Sequence, residues 1–401
     1  MNGLRVLKED GKFSFLFLIL ALFGILGNQY NVASSLIRAQ QALEAEALTS
    51  LQIDTRSLRT VLFSPNSQYF VTLKRYEASM DLWSEDERQQ WLDNAIEVWS
   101  MSNFERLFAL RGHTDQIVLL EFQPSGLHLA SASEDGTVRL WNVETGKQVW
   151  SNMLNGNLVS DITFSSDGLF LAIVDGSVFP VSENNQVIIV DVQTGERVSA
   201  IAQAYAFVTV FSPDSGTLYV GGSDAKVHVW SLVVNNPQDD GQIFESSVGI
   251  PITDMTLNHT GELLAIDDLI GLHVIDTKSF TVQKTYDNPL DIDFARRHYG
   301  DVFAQITNNS TVHLFNIVTD QTWVLELELD QKEIMRAINT DNTLLISVND
   351  DRVNVWDIET GNLISEVTHE DVFDATFSPD GSNFASWSAS SGLLKIWHIG
   401  E

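Results

Sequence analysis

His113, Ser133, Asp135 and Trp141 lie close together in the chain and include the three residue types of a Ser-His-Asp hydrolase. That chemistry needs an exposed nucleophile beside an imidazole, with donors aimed at the developing oxyanion. Ser133 instead falls inside a stretch whose pattern predicts a strand. No other grouping favours catalysis. The paired acids Asp239-Asp240, Asp267-Asp268, Asp350-Asp351 and Asp291/Asp293 lack the spaced oxygens and closing bidentate acid of a calcium loop, and read as solvated turn acids. The nine histidines are scattered, with no HExxH spacing, and there is no glycine-rich phosphate loop.

Bulk composition narrows the classes further. With no cysteine, thiol catalysis, cysteine-based zinc sites and disulfides are excluded, which fits a protein working outside the cytoplasm. A formal net charge of −31 over 401 residues repels phosphate backbones, and no run of Lys or Arg offsets it, so no nucleic-acid partner is expected. The charge serves solubility, or draws cations or a basic partner. Asn258-His259-Thr260 and Asn308-Asn309-Ser310 are glycosylation sequons, meaningful only in a eukaryotic protein.

The elements that must position these residues are announced by a phrase recurring about every 40 residues. It reads Gly112-His113-Thr114-Asp115, then Phe122-Gln123-Pro124-Ser125-Gly126, then Ser133-Glu134-Asp135-Gly136-Thr137, then Leu140-Trp141. Each unit predicts a strand ending near a Phe, a polar turn, a second strand, a tight turn and a third strand ending in Trp or a substitute. The third strands include Ile96-Glu97-Val98-Trp99, Val138-Arg139-Leu140-Trp141, Val227-His228-Val229-Trp230, Val353-Asn354-Val355-Trp356 and Leu394-Lys395-Ile396-Trp397. Weaker copies are Val187–Val190, Leu272–Ile275 and Val312–Phe315, making eight. Phe63-Ser64-Pro65-Asn66, Phe164-Ser165-Ser166-Asp167-Gly168, Phe211-Ser212-Pro213-Asp214 and Phe377-Ser378-Pro379-Asp380-Gly381 fall upstream in step.

These motifs resemble the WD40 family of β-propellers, from about Leu51 to the end of the sequence. The resemblance implies an all-β fold of four-stranded blades around a central channel, here eight. It also implies that His113, Ser133, Asp135 and Trp141 form a buried structural tetrad within one blade. Asp135 would orient His113, the Ser133 hydroxyl would continue the chain, and the Trp141 indole would find its acceptor. Other repeats lack the full set: Asp224 and Asp350 keep the Asp place, with Gly222 and Val348 in the Ser place. The last blade lacks an outer strand, which Leu51-Gln52-Ile53 can supply, closing the ring.

Two insertions interrupt the pattern. One, within Lys74 to Ala95, carries Met80, Trp83, Trp91 and Leu92 among many acids, and Ser84 with Glu87 predicts a capped helix over Glu85 to Asp93. The other, around Asp175 to Asn185, carries Val178, Phe179 and Pro180. Long loops bearing aromatics suit partner binding, although Trp83 and Trp91 could equally pack back onto the blade. Trp83, Arg88, Trp91, Asp115 and Phe179 are therefore the candidate partner-binding residues.

Residues 1–50 form a separate segment, and 51–401 the propeller. Phe13 to Leu26 is an uncharged apolar run preceded by Arg5, Lys8 and Lys12, the layout of a cleaved signal peptide or a retained membrane anchor over residues 13–27. Ser34 to Leu51 predicts a short helical stalk. The sequence thus leads to an exported, non-catalytic platform for a protein partner, membrane-anchored or secreted, with no cofactor. A channel enzyme, or a small-ligand or metal-binding propeller, is the alternative.

Overall fold

A computed structural model describes residues 47–53, 58–74, 83–93, 95–154, 158–176, 185–203, 205–232, 238–245, 249–268, 271–287, 301–307, 311–326, 333–388 and 390–399. The expected apolar helix, Phe179 and residues 34–46 of the expected stalk lie outside these residues; the end of the stalk stretch, Thr49 to Leu51, is strand rather than helix, because it pairs with the last blade. Among the described residues no helix is long and apolar enough to cross a membrane.

Eight antiparallel sheets follow one another along the chain, seven of four strands and the sixth of three among the described residues. Within the first seven sheets the strands pair in chain order, the simplest product of β-branched runs separated by tight turns. Blade 2 shows the plan: Ile117–Phe122 innermost, then His128–Ser133, Thr137–Asn142 and Lys147–Met153. Its outer hairpin turns at Gly146 (φ 66°), where a Cβ would sit 2.5 Å from the Phe108 ring of blade 1, so both backbone conformation and neighbour call for glycine.

The eighth blade breaks the order as expected. Its outermost strand is Thr49–Gln52, antiparallel to Leu393–His398, with Thr49 opposite Ile396 and Leu51 opposite Leu394. Sheet faces are buried against neighbouring blades. At the closing seam Phe63, Phe70 and Trp99 of blade 1 pack with Ala385, Trp387, Leu394 and Ile396 of blade 8. Each large side chain buried in this way contributes about 1.5–3 kcal/mol.

Polar bonds stitch the same seams at the turns between first and second strands. Asn66 Nδ2 donates to Ser125 O, Gln123 Nε2 to Gly168 O, Ser166 Oγ to Ser212 O, and Thr340 Oγ1 to Pro379 O. Asp380 N donates to Ser67 Oγ (3.2 Å), carrying the stitching across the closure.

Candidate functional site

The catalytic-looking residues of blade 2 form a chain of buried hydrogen bonds. Gly112, at φ 149°, turns the backbone so that the His113 ring enters the blade; a Cβ there would approach Arg139 Nη1 to 2.6 Å. His113 Nδ1 lies 2.9 Å from Asp135 Oδ2, and Nε2 lies 2.7 Å from Ser131 Oγ. Trp141 Nε1 donates to the same Ser131 oxygen at 2.8 Å. Asp135 also accepts the Thr114 N–H, the Thr137 N–H and the Thr137 hydroxyl, at 2.9, 2.8 and 2.6 Å.

The protonation states follow from these bonds. Burial holds the His113 imidazole below its ordinary value, against the Asp135 bond and charge, and the Arg139 charge lowers it further. Burial would raise the Asp135 carboxyl, but donors from His113, Thr137 and Thr114 outweigh it and hold it well below the carboxylate range. A neutral His113 therefore donates from Nδ1 to an ionised Asp135. Its Nε2 accepts the Ser131 hydroxyl, whose oxygen accepts the indole N–H. Every polar atom named has a partner, and none faces solvent as a nucleophile.

The relay hydroxyl is Ser131, not Ser133 as the sequence led us to expect. The two side chains share a sheet face because strand residues alternate. Ser131 pairs with Arg139, beside Trp141, whereas Ser133 ends the strand opposite Ile117. From there Ser133 Oγ donates to Asp115 O (2.9 Å) and accepts the Asp135 N–H (3.1 Å), pinning the turns that carry the relay.

The corrected register exposes relays that the sequence reading missed. Trp99 Nε1 donates to Thr72 Oγ1 (3.1 Å), Trp356 Nε1 to Ser347 Oγ (2.7 Å) and Trp397 Nε1 to Ser386 Oγ (2.8 Å). In blade 8, His369 Nδ1 takes the Ser386 hydroxyl at 2.7 Å. In blade 7, Glu333 stands in for histidine, accepting the Ser347 hydroxyl and the Asn354 amide. The hydroxyl place in blades 4 and 7 is therefore held by Val220 and Ser347, not by Gly222 and Val348. With valine there, Trp230 Nε1 is buried without an acceptor. Blades 4 and 5 keep a turn aspartate but draw its histidine from the third strand: His228 Nε2 is 3.0 Å from Asp224 Oδ2, and His273 Nε2 is 3.0 Å from Asp268 Oδ2. The signal was a histidine at one position in successive third strands, Val227-His228-Val229 and Leu272-His273-Val274.

The first insertion forms the helix Glu85–Leu92 with a complete Ser84–Glu87 capping box. It docks inward. Trp91 and Leu92 are buried in one cluster with Leu73, Ile96, Leu110, Ile117 and Trp141, and Trp83 packs against it. Gln89 Nε2 donates to His113 O (3.3 Å), tying the insertion to the relay loop. This corrects the expectation that Trp91 anchors a partner: its ring is part of the core. Trp83 is half-buried, Arg88 is paired with Glu85 at 2.6 Å, and Asp115 accepts the Gln116 N–H.

The innermost strands carry acids, but two are committed to neighbouring blades. Asp161 Oδ2 accepts both the N–H and the hydroxyl of Thr209 (2.7 and 2.8 Å), and Asp374 pairs with Arg336 (3.6 Å). Among the described residues no cluster of three His, Asp or Glu is placed to hold a metal. Asn258, the first sequon asparagine, is buried and donates to Thr260 Oγ1, so the folded chain offers it to no glycosylating enzyme.

A family model described as outer membrane protein assembly factor BamB matches residues 92–366, and that of the WD domain, G-beta repeat, matches residues 361–398. Eukaryotic translation initiation factor 3 subunit I of Schizosaccharomyces pombe is 29% identical over 214 residues, covering 50% of this chain and 63% of that protein. Small ribosomal subunit protein RACK1y of Oryza sativa subsp. japonica is 25% identical over 141 residues, 35% of this chain and 42% of that protein. Cross-pathway control WD-repeat protein 2 of Flammulina velutipes is 27% identical over 151 residues, 35% of this chain and 45% of that protein. The chain thus spans less than two thirds of the length of the curated relatives it matches. Among solved structures, the C-terminal WD40 domain of Sif2 superposes with a TM-score of 0.65 at 14% identity, covering 89% of this chain and 99% of that one, which is a likeness of fold.

Proposed function

Because the chain belongs to the WD40-repeat β-propellers and, over residues 92–366, to the family described as outer membrane protein assembly factor BamB, we propose that it is a non-catalytic platform that holds a protein partner on a rigid ring. The observation that carries this reading is the fate of the reactive side chains. The relay hydroxyls of Thr72, Ser131, Ser347 and Ser386 are buried, and each accepts an indole N–H from its own blade. They stiffen the blades. What is left exposed is shape, loops and edges.

The names of two relatives, a translation initiation factor subunit and a small ribosomal subunit protein, describe components of larger assemblies, which supports the same role here. A family description as an outer membrane assembly factor, the absence of cysteine and the apolar stretch of residues 13–27 support action outside the cytoplasm, anchored or secreted. The binding face is the one at the beginnings of the inner strands. It carries the His113 loop and the inserted helix with Arg88. It also carries Ile334 and Phe373, each 42% exposed near the starts of the inner strands of blades 7 and 8. The Arg336 guanidinium lies 5.6 Å from the Phe373 ring, holding that aromatic in place.

Affinity capture from the native cells with wild type and with Ile334→Ser/Phe373→Ser tests this. A partner held by the first and lost by the second, with melting temperature unchanged, is the expected result. Capture that persists in the double variant removes this face from the account. Fractionation that leaves the full chain in the cytoplasm removes the export reading.

A further inference from the structure

Blade 8 combines two features found together nowhere else among the described residues. Its outer strand comes from far away in sequence, through a ladder of four residues, Thr49 to Gln52 against Leu393 to Ile396. Its relay ends on a histidine without a carboxylate. His369 is 0% exposed. Its Nδ1 lies 2.7 Å from Ser386 Oγ, and that oxygen already accepts the Trp397 indole N–H. We therefore assign the serine hydrogen to Nδ1, which puts the ring proton on Nε2, buried and with no hydrogen-bond partner. Where Asp135 caps the relay of blade 2 and accepts the N–H of Thr137, blade 8 has Ser391, accepting the N–H of Leu393.

Among the charged groups around His369, no carboxylate is bonded to the ring. Lys395, opposite Ser386 in the sheet, donates to Thr368 O and stands 5.3 Å from the Trp397 ring. Asp371, in the loop that follows, is exposed and accepts the hydroxyls of Ser388 and Ser390. From blade 7 the turn carrying Asp350 and Asp351 presents backbone: its carbonyls take the N–H groups of Val372 and His369. The nearby Arg352 is paired with Glu366 at 3.5 Å.

We propose that His369 is an acid-sensitive latch on the ring: protonating its imidazole loosens blade 8 and its hold on the closing strand, while blade 2 withstands the same acid. A proton taken from solvent at Nδ1 turns that atom from acceptor to donor. The Ser386 hydroxyl must then rotate away and loses its acceptor, and a second cation is created near Lys395 with no carboxylate on the ring. In blade 2 a proton arriving at His113 Nε2 displaces Ser131 in the same way, but the new charge rests against the ionised Asp135.

Burial, reinforced by the Lys395 charge and opposed by Asp371, pushes His369 down to about 4. A histidine in unfolded chain titrates near 6.5, so the opened blade binds the proton more readily than the closed one. Closure is therefore at full strength above about pH 6.5, weakens as the pH falls through that value, and levels off below about 4.

Native-state hydrogen exchange decides the matter. Protection of residues 49–52 and 393–398 should fall on the order of 50-fold between pH 7 and pH 4.5, after correction for intrinsic exchange, with a smaller loss over residues 128–142. His369→Gln should remove the excess loss. Lys395→Gln, a change at a partly exposed site, should shrink it and decides the question if the glutamine variant does not fold. Equal losses in blades 2 and 8, or an excess loss untouched by Lys395→Gln, would overturn the proposal.

Discussion

Blades 2 and 8 solve one packing problem with different completeness. Both bury a tryptophan whose indole donates to a serine, and both place a histidine on that serine. Blade 2 adds Asp135, tied down by donors from His113, Thr114 and Thr137; blade 8 offers Ser391 instead. Blade 2 lies within a continuous stretch of chain, and blade 8 pairs residues 49–52 with residues 393–396. A buried polar chain that ends on a satisfied ion rigidifies its surroundings, whereas one that ends on an unpartnered N–H leaves a cost of about 1–3 kcal/mol in place. The weaker relay therefore sits where the ring closes.

The largest test of this contrast removes the two imidazoles in turn. His113→Ala strands Asp135 and Ser131 together and should cost about 3 kcal/mol in chemical denaturation. His369→Ala abolishes a donor that was already unpaired and should cost about 1–2 kcal/mol. Equal costs would break the comparison.

A middling effect sharpens the assignment of the hydroxyl. Ser131→Ala leaves the Trp141 N–H without its acceptor and should lower stability by about 2 kcal/mol, read from the urea midpoint at constant slope. Ser133→Ala loses its two turn bonds, to the Asp115 carbonyl and the Asp135 N–H, but leaves the indole bond intact, and should cost about 1 kcal/mol. The smallest effect has the opposite sign. Val220→Thr places a hydroxyl beside the orphaned Trp230 N–H in blade 4, with little change of shape, and should stabilise the protein by about 1 kcal/mol in the same assay. A destabilised Val220→Thr would show that Trp230 does not share the relay geometry of Trp141.

The repeat was legible because its punctuation is local. Turn residues such as Ser165-Ser166-Asp167-Gly168 and Ser378-Pro379-Asp380-Gly381, and third strands ending in Trp in five of the eight blades, mark blade edges whatever the tertiary surroundings. The Ser84–Glu87 cap was legible for the same reason, and the closing strand followed from the missing outer strand of the last blade. The relay hydroxyl was not legible. Ser131 and Ser133 share a face, and periodicity gives the face but not the height along it; only pairing with Arg139 and Trp141 sets that height. The direction of Trp91 was hidden too, because a short amphipathic insertion docks by tertiary contact with Leu73, Ile96 and Leu110, none of which its own sequence names. In blade 4 the turn aspartate was visible but its partner histidine came from an unexpected strand, and in blade 5 Asp268, read as a solvated turn acid, is buried against a histidine, so the pairs His228–Asp224 and His273–Asp268 emerged only in three dimensions.

The central claim is that these side chains hold blades rigid through a specific chain of bonds, and a double-mutant cycle between residues 131 and 141 tests it most directly. Ser131→Ala and Trp141→Phe should be non-additive by about 1 kcal/mol or more, because each removes the same bond, while Ser133→Ala and Trp141→Phe should add within about 0.5 kcal/mol. Coupling of Trp141 to Ser133 with none to Ser131 would contradict the account.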